Sequence, residues 1–466
     1  MRICLIFPET TYFEDPMVFP PLGLFYIKAM LKERGHEVDF FDLSEYDIQT
    51  DGKRVRQHLN PPTSGYDAYL VSGTSPQASE IRRLGRYLRK HGCFTIAGGP
   101  HVTNYAGAPT LFGQRPMLDT GSPVDQELVK NFNILVKNEG ELAILEALER
   151  IDEAQSYMDK YGRGVVIQKP NIDDLGTIPI PDRMDALKYR YFLEDERGQK
   201  HQGTTMFSSR GCPERCAFCD SPALWSRKVR YVPMPRVVEE FQQIKSLGFN
   251  AIHFFDDILP LHQGRMRQMC EELKHFGFYW RCFIRVDIMT KPSYGKEFLQ
   301  MMYGAGLREV LVGVESGSQK ILDGIHKGTT VEQNTLVRQW CREIGIRFKA
   351  SVILGLPSET LETMEETRKW VLENKPDRVN VCLFIPFSGT PISKGKDVRS
   401  ADYGKDAIHD YDIHWDMDAS ALEEFFYAGS RTDLKALTYT SSLTRQQIQD
   451  FWHDFIADVQ ASGIPY

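Results

Sequence analysis

Three cysteines fall within eight residues in the segment Gly211-Cys212-Pro213-Glu214-Arg215-Cys216-Ala217-Phe218-Cys219. Their spacing is C-x3-C-x2-C, and the segment directly follows an apolar run at 204–208 that predicts a strand. A structural zinc ion takes four ligands, and no histidine lies near enough in sequence to complete the usual pairs. Thiolates also hold iron–sulfur clusters, and three of them leave one iron of a four-iron cluster with an open coordination position. The spacing therefore predicts an iron–sulfur cluster, with zinc or unrelated cysteines as the alternatives.

Strand and helix patterns alternate from residue 204 onward. This alternation is typical of βα units with parallel strands. Because six units are too few for a closed eight-stranded barrel, we expect a partial (β/α)6 barrel over residues 204–394. The cysteine segment lies where the first strand of this array passes into its first helix. The strands are predicted at 204–208, 251–256, 279–284, 308–314, 347–354 and 378–384.

Residues 1–152 show the same alternation. They predict an α/β domain with a doubly wound parallel sheet of the Rossmann or flavodoxin-like kind. In such sheets, ligands bind beyond the carboxyl ends of the strands. The strands are predicted at 3–7, 38–41, 69–72, 94–97 and 134–136, and their carboxyl ends at 7–10, 72–76, 98–101 and 138–141.

Three other segments are less regular. Residues 104–133 are rich in glycine and proline, which predicts a long surface loop. Residues 153–203 contain three helix-breaking prolines and are expected to form a linker between the two arrays. Residues 395–466 are expected to form a small, mainly helical C-terminal domain, with helices at 419–427 and 444–461.

The composition is that of an ordinary soluble globular protein, with 42% hydrophobic residues among 466. A net charge of −7 does not favour broad capture of nucleic acid. Nine sparse cysteines, an odd number, fit a reducing compartment better than a disulfide framework. No apolar run is long enough to span a bilayer, and the first nine residues are too short and acidic for a signal peptide. We therefore expect a cytoplasmic protein, while its oligomeric state stays open.

The cysteine segment resembles the C-x3-C-x-aromatic-C signature of the radical S-adenosylmethionine (SAM) enzymes. This resemblance implies a [4Fe-4S] cluster on Cys212, Cys216 and Cys219. It also implies that Phe218 packs beside the adenine of SAM, since it fills the aromatic position of the signature.

Further matches follow the later strands of the array. At 253–257 the chain departs from the Gly-Gly-Glu of the superfamily, and Asp256 or Asp257 is expected to bind the methionine amino group or to cap a helix. Arg285 is expected either to meet the SAM carboxylate or to pair with a nearby aspartate. Glu315, in a segment resembling Gly-Val-Glu-Ser, is expected to bind the ribose or amino acid part of SAM. Residues 352–359 resemble the later part of the G-x-I-x-G-x-x-E adenine segment, which implies SAM contacts from Ile353, Gly355, Leu356 and Pro357. A buried strand followed by a helix cap at Ser358 is the alternative.

The N-terminal half resembles the cobalamin-binding radical SAM enzymes, of the class B methyltransferase type. Pro20-Pro21-Leu22-Gly23-Leu24 and Gly35-His36-Glu37-Val38 carry this resemblance together with the strand ends. Because the D-x-H-x-x-G string of histidine-ligated cobalamin proteins is absent, we expect no histidine ligand to cobalt. The resemblance implies cobalamin contacts from Thr74, Ser75, Pro76, Gly98, Gly99, Pro100, His101, Glu139, Gly140 and Glu141.

The resemblance implies a cobalamin-dependent radical SAM methyltransferase. Such an enzyme uses methylcobalamin and a 5′-deoxyadenosyl radical to methylate an unactivated carbon of a small molecule or peptide. It also needs an external electron donor such as flavodoxin or ferredoxin. A radical rearrangement, cyclisation or oxidation with the same cofactors is the alternative. A methylthiotransferase is disfavoured because Cys4 and Cys93 lack a third partner for a second cluster, and a non-catalytic cobalamin-binding protein is disfavoured by the cysteine segment. No catalytic residue is assigned, and the substrate stays open.

Overall fold

The computed structural model describes residues 1–9, 18, 20–44, 46–48, 54–56, 60–107, 124–189, 191–393, 411–415 and 434–466. The chain divides into two compact units, each built around its own sheet. The first unit lies within Met1–Tyr191 and Ala223–Ser226 and also includes Leu434. The second lies within Phe192–Pro222, Arg227–Met417 and Lys435–Tyr466.

The first unit contains a six-stranded parallel sheet in the order β2-β1-β5-β6-β7-β8. The strand order reverses between β1 and β5, as in flavodoxin-like sheets, and such a reversal marks the usual ligand position. The four middle residues of β1, Ile3 to Ile6, are apolar and fully buried, because helices cover both faces of a parallel sheet. The strands are β1 (Arg2–Phe7), β2 (Glu37–Asp42), β3 (Tyr46–Ile48), β4 (Arg54–Arg56), β5 (Ala68–Ser72), β6 (Thr95–Gly98), β7 (Ile134–Lys137) and β8 (Val165–Gln168), of which β3 and β4 form a separate hairpin.

Six helices lie between Met1 and Tyr191 in the described residues of this unit. They alternate with the strands of the sheet, which confirms the doubly wound prediction. They are α1 (Leu22–Glu33), α2 (Ala78–Lys90), α3 (Pro100–Tyr105), α4 (Gln126–Asn131), α5 (Gly140–Glu149) and α6 (Ile151–Tyr161), with short 3-10 turns at Ser75–Gln77, Leu175–Thr177 and Met184–Leu187.

Two segments hold more regular structure than the sequence indicates. Within 104–133, expected to be a loop, α3 ends and α4 forms, while residues 108–123 lie outside the described part. Within 153–203, expected to be a linker, β8 adds a sixth strand to the sheet. Gly164 makes this possible, since a Cβ there would lie 2.0 Å from the Phe132 carbonyl oxygen. The run Val-Val-Ile of β8 is too short to distinguish from a loop by its pattern alone.

The second unit contains a seven-stranded sheet in the order β17-β16-β15-β14-β13-β10-β9. Its six parallel strands are those predicted from the sequence, so the partial (β/α)6 barrel is confirmed. The extra strand β9 pairs antiparallel with β10. The strands are β9 (Phe192–Glu194), β10 (Lys200–Met206), β11 (Ser209–Arg210), β12 (Arg230–Tyr231), β13 (Ala251–Phe254), β14 (Tyr279–Ile284), β15 (Leu307–Glu315), β16 (Arg347–Leu354) and β17 (Arg378–Leu383), of which β11 and β12 form a small separate ladder.

Helices follow the strands of the barrel, and a C-terminal helix packs at the open edge of the sheet. Trp452 of that helix donates a 2.9 Å hydrogen bond from Nε1 to the Val381 carbonyl of β17, which blocks an unpaired strand edge. The predicted helix at 419–427 lies outside the described residues. The helices are α7 (Ser221–Trp225), α8 (Met234–Ser246), α9 (Gln263–Phe276), α10 (Val286–Met289), α11 (Gly295–Gly304), α12 (Gln319–Gly324), α13 (Val331–Ile344), α14 (Leu361–Asn374) and α15 (Arg445–Ala461), with a 3-10 turn at Leu259–Leu261.

Among the described residues, no helix is both long enough and apolar enough to cross a membrane.

Candidate functional site

The three clustered cysteines lie on one loop at the carboxyl end of β10. The Ala217 N–H donates a 2.9 Å hydrogen bond to the Ile325 carbonyl, and the Ala217 carbonyl accepts from the Ile392 N–H. These bonds fix the middle of the loop. Cys216 is buried, Cys212 and Cys219 are partly exposed, and all three thiols are free.

The loop offers a donor set that fits an iron–sulfur cluster. Burial raises the pKa of the Cys212 thiol to about 11, so iron must displace a proton to bind there. Two cations, Arg285 and Lys327, lie beside Cys216 and can balance the charge of thiolates. In the described part of the chain, no three His, Cys, Asp or Glu side chains converge on a position for a single metal ion.

Arg285 follows β14 and points at the cysteine loop. Its Nη1 donates a hydrogen bond to Cys216 Sγ at 3.3 Å, and its Nη2 donates to the Lys327 carbonyl at 2.6 Å. It also pairs with Asp287 at 3.0 Å and Glu214 at 3.3 Å. Burial alone would lower the pKa of Arg285, but Cys216, Asp287 and Glu214 together raise it above its usual range. Of the two expectations, pairing with a nearby aspartate is therefore present, and contact with the SAM carboxylate stays a prediction.

The two aspartates after β13 have different surroundings. Asp256 is fully buried and accepts hydrogen bonds from the Ser208 N–H at 2.9 Å and the Ser208 and Ser209 hydroxyls at 2.7 and 2.5 Å. Asp257 lies beside the cysteine loop and accepts from the Ser221 hydroxyl at 2.7 Å. Burial raises the pKa of Asp257 to about 6. The hydrogen bonds to Asp256 thus hold the start of the cysteine loop in place. The carboxylate of Asp257 accepts fewer hydrogen bonds from the protein than that of Asp256.

Glu315 at the end of β15 turns back toward the barrel. Its φ of 61° lies in the left-handed region, and the pairing of β15 with β16 shifts register between Gly313 and Glu315. A Cβ on Gly313 would lie 2.1 Å from Glu315 Oε1, so only glycine leaves room for this side chain. Glu315 accepts a 2.7 Å hydrogen bond from buried Lys327. The sequence motif located Glu315, whereas Lys327 carried no motif and was missed.

The segment after β16 forms a tight turn around a buried carboxyl group. Gly355 has a φ of 81°, and Glu359 accepts hydrogen bonds from the Gly355 and Leu356 N–H groups at 2.5 and 3.1 Å. Burial raises the pKa of Glu359 to about 8, against the lowering effect of those two donors. Ser358, with a φ of 62°, donates its N–H to the Asp412 carbonyl at 3.0 Å.

An apolar cluster joins this turn to the cysteine loop. Phe218 and Ile353, both expected SAM contacts, pack at its margin, and Leu356 is fully buried within it. Residues 411–415 alternate three apolar side chains with Asp412 and His414 and carry no motif, so only the fold shows that they pack here. The other members are Ala217, Ile321, Ile325, Phe384, Ile392, Tyr411, Ile413 and Trp415.

In the first unit, the residues expected to bind cobalamin follow β5, β6 and β7. These strands are neighbours, so their carboxyl ends meet at one edge of the sheet. The Thr74 N–H and hydroxyl both lie within hydrogen-bond reach of Gln77 Oε1, at 2.9 and 3.2 Å. Gly99 has a φ of 96°, and a Cβ there would lie 2.7 Å from the Gly73 carbonyl oxygen. Gly99 therefore allows the chain after β6 to approach the backbone of Gly73 after β5, where a side chain would collide.

His101, Glu139 and Glu141 turn into the protein. The His101 ring is 0% exposed and lies 3.5 Å from both Ser75 Oγ and Asp125 Oδ2. Burial opposes ionisation of Asp125, but His101 and Arg82 lower its pKa to about 2. Glu139 accepts a 2.5 Å hydrogen bond from the Ile172 N–H. These side chains support the loops of this edge, and their expected contacts with cobalamin stay predictions.

A model of the Radical SAM superfamily matches residues 206–371, which include the cysteine loop and the carboxyl ends of β13 to β16. The second unit therefore contains a Radical SAM domain. The chain is 27% identical over 419 residues to an uncharacterised methyltransferase of Pyrococcus horikoshii, an alignment that covers 84% of this chain and 82% of the relative. It is also 27% identical over 388 residues to an anaerobic magnesium-protoporphyrin IX monomethyl ester cyclase of Rubrivivax gelatinosus, with 79% and 65% covered.

The fold of the chain matches that of a solved methyltransferase. The structure of TsrM from Kitasatospora setae, with cobalamin and a [4Fe-4S] cluster bound, has a TM-score of 0.63 and 18% identity. The match covers 99% of this chain and 90% of TsrM. The predicted succession of a doubly wound sheet and a partial barrel is thus the architecture of that enzyme.

Proposed function

We propose that this radical SAM protein is a cobalamin-dependent methyltransferase that methylates an unactivated carbon of its substrate. One observation carries the proposal: a flavodoxin-like parallel sheet precedes a partial barrel whose first βα loop presents three free cysteines. The methyltransferase from Pyrococcus horikoshii and the cobalamin-bound TsrM support it, since both match across most of their length.

In the barrel unit, Cys212, Cys216 and Cys219 hold a [4Fe-4S] cluster. When bound, the cluster supplies the electron for cleavage of SAM, and cobalamin supplies the methyl-transfer chemistry. Asp257 binds the methionine amino group, because the oxygens of Asp256 already accept three hydrogen bonds from Ser208 and Ser209.

The remaining SAM contacts come from two places in the barrel unit. Phe218, Ile353 and Leu356 pack against the adenine, since their apolar cluster joins the cysteine loop to the turn after β16. Glu315 is held in place by Lys327 and contributes a carboxylate to the ribose or amino acid part.

In the first unit, the residues after β5, β6 and β7 hold cobalamin. Thr74 and Ser75 contribute hydroxyl groups, and the Gly98–Gly99 turn contributes backbone. No histidine ligates cobalt in this proposal, and His101 acts through its contacts with Ser75 and Asp125. In this proposal the cobalamin-binding domain is residues 1–152 together with β8 of the same sheet, and the barrel is residues 204–394 together with β9 and the first residues of β10.

Three partners complete the proposal. An external donor such as flavodoxin or ferredoxin reduces the cluster, since each SAM cleavage consumes one electron. A small molecule or peptide is methylated. The location is the cytoplasm, whose reducing conditions suit nine unpaired thiols.

Anaerobic reconstitution tests the proposal. The full chain is incubated with iron, sulfide and hydroxocobalamin, freed of unbound cofactor, and assayed for metals, absorption and reductive SAM cleavage. We expect about four irons and one cobalt per chain, with 5′-deoxyadenosine formed only when reductant is present. Protein treated with hydroxocobalamin alone is the control and should bind cobalt without cleaving SAM. Iron without cobalt would contradict the methyltransferase assignment.

A radical reaction without methyl transfer is the second candidate. The cyclase from Rubrivivax gelatinosus favours it, because that relative is as similar in identity as the methyltransferase. Product mass separates the two outcomes once a substrate is found. Methylation adds one CH2 that carries the isotope label of methyl-labelled SAM, whereas cyclisation or oxidation removes hydrogen and leaves the product unlabelled.

A further inference from the structure

The three cysteines of the loop stand in unequal electrostatic surroundings. Cys216 Sγ accepts a hydrogen bond from the Arg285 guanidinium at 3.3 Å. Cys219 instead lies near the carboxylates of Asp220 and Asp257, and Cys212 lies near both Asp257 and Arg285. Cys216 therefore accepts a direct hydrogen bond from a cation, whereas carboxylates lie near the other two sulfurs.

Arg285 is held against Cys216 by contacts that leave it little freedom. Its side chain is 7% exposed, and Asp287 accepts from its Nε at 3.0 Å. The Lys327 carbonyl accepts from its Nη2 at 2.6 Å, and Glu214 lies 3.3 Å from the same nitrogen. Since Nε and Nη2 are both engaged, the planar guanidinium directs Nη1 at the sulfur.

Lys327 places a second positive charge on the same side of the loop. Its side chain is 9% exposed and pairs with Glu315 at 2.7 Å. Its ammonium group lies 5.7 Å from the centre of the Phe218 ring, two residues along the chain from Cys216. Burial opposes its charge, but Glu315 and then Cys216 raise the pKa of Lys327 above its usual range.

We propose that Arg285, assisted by Lys327, raises the reduction potential of the cluster that these cysteines hold. The inference rests on the proposed function, because it requires a cluster at Cys212, Cys216 and Cys219. An external one-electron donor reduces the cluster, which gains one negative charge while no bond to Arg285 is made or broken. A hydrogen bond to a ligand sulfur and a nearby cation both favour the more negative state. Arg285 is thus a positioning residue that makes the cluster easier to reduce.

The test is a potentiometric titration of the reconstituted full-length protein, followed by electron paramagnetic resonance of the reduced cluster. In Arg285→Gln, the ratio of reduced to oxidised cluster at a fixed potential should fall about tenfold or more, equivalent to about 59 mV for a one-electron couple. Lys327→Met should lower the ratio less, because Glu315 already offsets its charge. Arg285→Lys should fall between wild type and Arg285→Gln, since it keeps a cation but not the planar fork.

Asp287→Asn is the matched control, with an expected shift of opposite sign. It removes a carboxylate 3.0 Å from Arg285 Nε while the thiol contact remains, so the reduced fraction should rise. A role of Arg285 in holding the loop alone would lower iron content and leave the potential of the remaining clusters unchanged.

The possible failures are distinguishable. Wild-type protein that assembles no cluster contradicts the proposed function. Wild type and Arg285→Gln with equal iron content and equal potential overturn the inference alone. If Arg285→Gln does not retain a cluster, the reduction potentials of Lys327→Met and Asp287→Asn test the inference. A lower potential in Lys327→Met with a higher one in Asp287→Asn supports it. Potentials equal to that of wild type in both variants overturn it.

Discussion

The carboxyl-terminal edges of the two sheets are constructed differently. In the barrel unit, charged side chains from separate strand ends meet around the cysteine loop, as Arg285 does at Cys216 and Lys327 does at Glu315. In the first unit, glycines and hydroxyl groups occupy the strand ends. His101, Glu139 and Glu141, which are ionisable side chains after β6 and β7, turn into the protein instead.

This difference assigns different physical tasks to the two edges. A site made of charged side chains stabilises charge and orients polar groups, and it responds to single changes of charge or protonation. A site made of backbone and small residues offers shape and close approach, and it responds to added volume. The two edges should therefore fail independently and for different reasons.

The largest expected effect comes from removing the cysteine loop thiols. The triple variant Cys212→Ala, Cys216→Ala and Cys219→Ala should lose essentially all cluster iron, because the loop provides no other thiolate. Cobalt content should stay near one per chain. Metal analysis after anaerobic reconstitution measures both.

Cys341→Ala is the matched control for that variant. Cys341 is fully buried in the core, so this change should cost some stability and leave the iron content unchanged. Loss of cobalt together with iron in the triple variant would show that the two edges are not independent.

A smaller effect is expected at the first edge from Gly99→Ala. The φ of 96° strains any side chain, and the added Cβ would lie 2.7 Å from the Gly73 carbonyl oxygen. We expect a loss of about 1–3 kcal/mol in unfolding free energy and cobalamin affinity weaker by about tenfold or more. Iron content should not change. Denaturant unfolding and a cobalamin binding titration measure the two losses.

Gly98→Ala, one residue earlier, separates strain from ligand contact. The nearest atoms to its added Cβ belong to Val136 at 3.8 Å, an ordinary contact distance. Its stability should stay near that of wild type, so weaker cobalamin binding in this variant would assign Gly98 to the ligand. A Gly99→Ala protein as stable as wild type would refute the argument from strain.

The sequence predicts the strands and motifs of both sheet edges, but it does not predict the contacts between side chains there. The parallel strands and the cysteine loop follow from local patterns, because period and spacing are read over fewer than ten residues. The partner of Arg285 could not be read in this way, since Cys216 lies 69 residues away. Lys327 and residues 411–415 carry no motif, and their roles arise only from packing around Phe218 and Ser358. At the first edge, Gly99 is expected from the sequence only as a cobalamin contact, and the fold reveals the neighbouring strand end that requires a glycine there.

The smallest expected effect distinguishes the edges by their response to pH. Glu359 is fully buried, with a pKa raised to about 8, so the folded protein favours its neutral form. A raised carboxyl pKa stabilises the folded state at low pH, and this contribution is lost as pH rises from the ordinary value near 4.5 toward 8. Glu359→Gln keeps an uncharged acceptor for the Gly355 and Leu356 N–H groups and cannot ionise.

Relative to wild type, Glu359→Gln should therefore gain unfolding free energy between pH 6 and pH 8, by about 1 kcal/mol or more, since one pKa unit is worth about 1.4 kcal/mol. The SAM affinity of Glu359→Gln should also rise relative to that of wild type between pH 6 and pH 8, because this turn carries the expected adenine contacts. Unfolding midpoints and SAM titrations at both pH values measure the change. Glu362→Gln, an exposed carboxylate on α14, should show no such difference, and neither should Gly99→Ala, whose defect is steric. If the difference between Glu359→Gln and wild type does not change with pH, ionisation of Glu359 does not affect the unfolding free energy. The response of the barrel edge to charge would then come from the cysteine loop, Arg285 and Lys327.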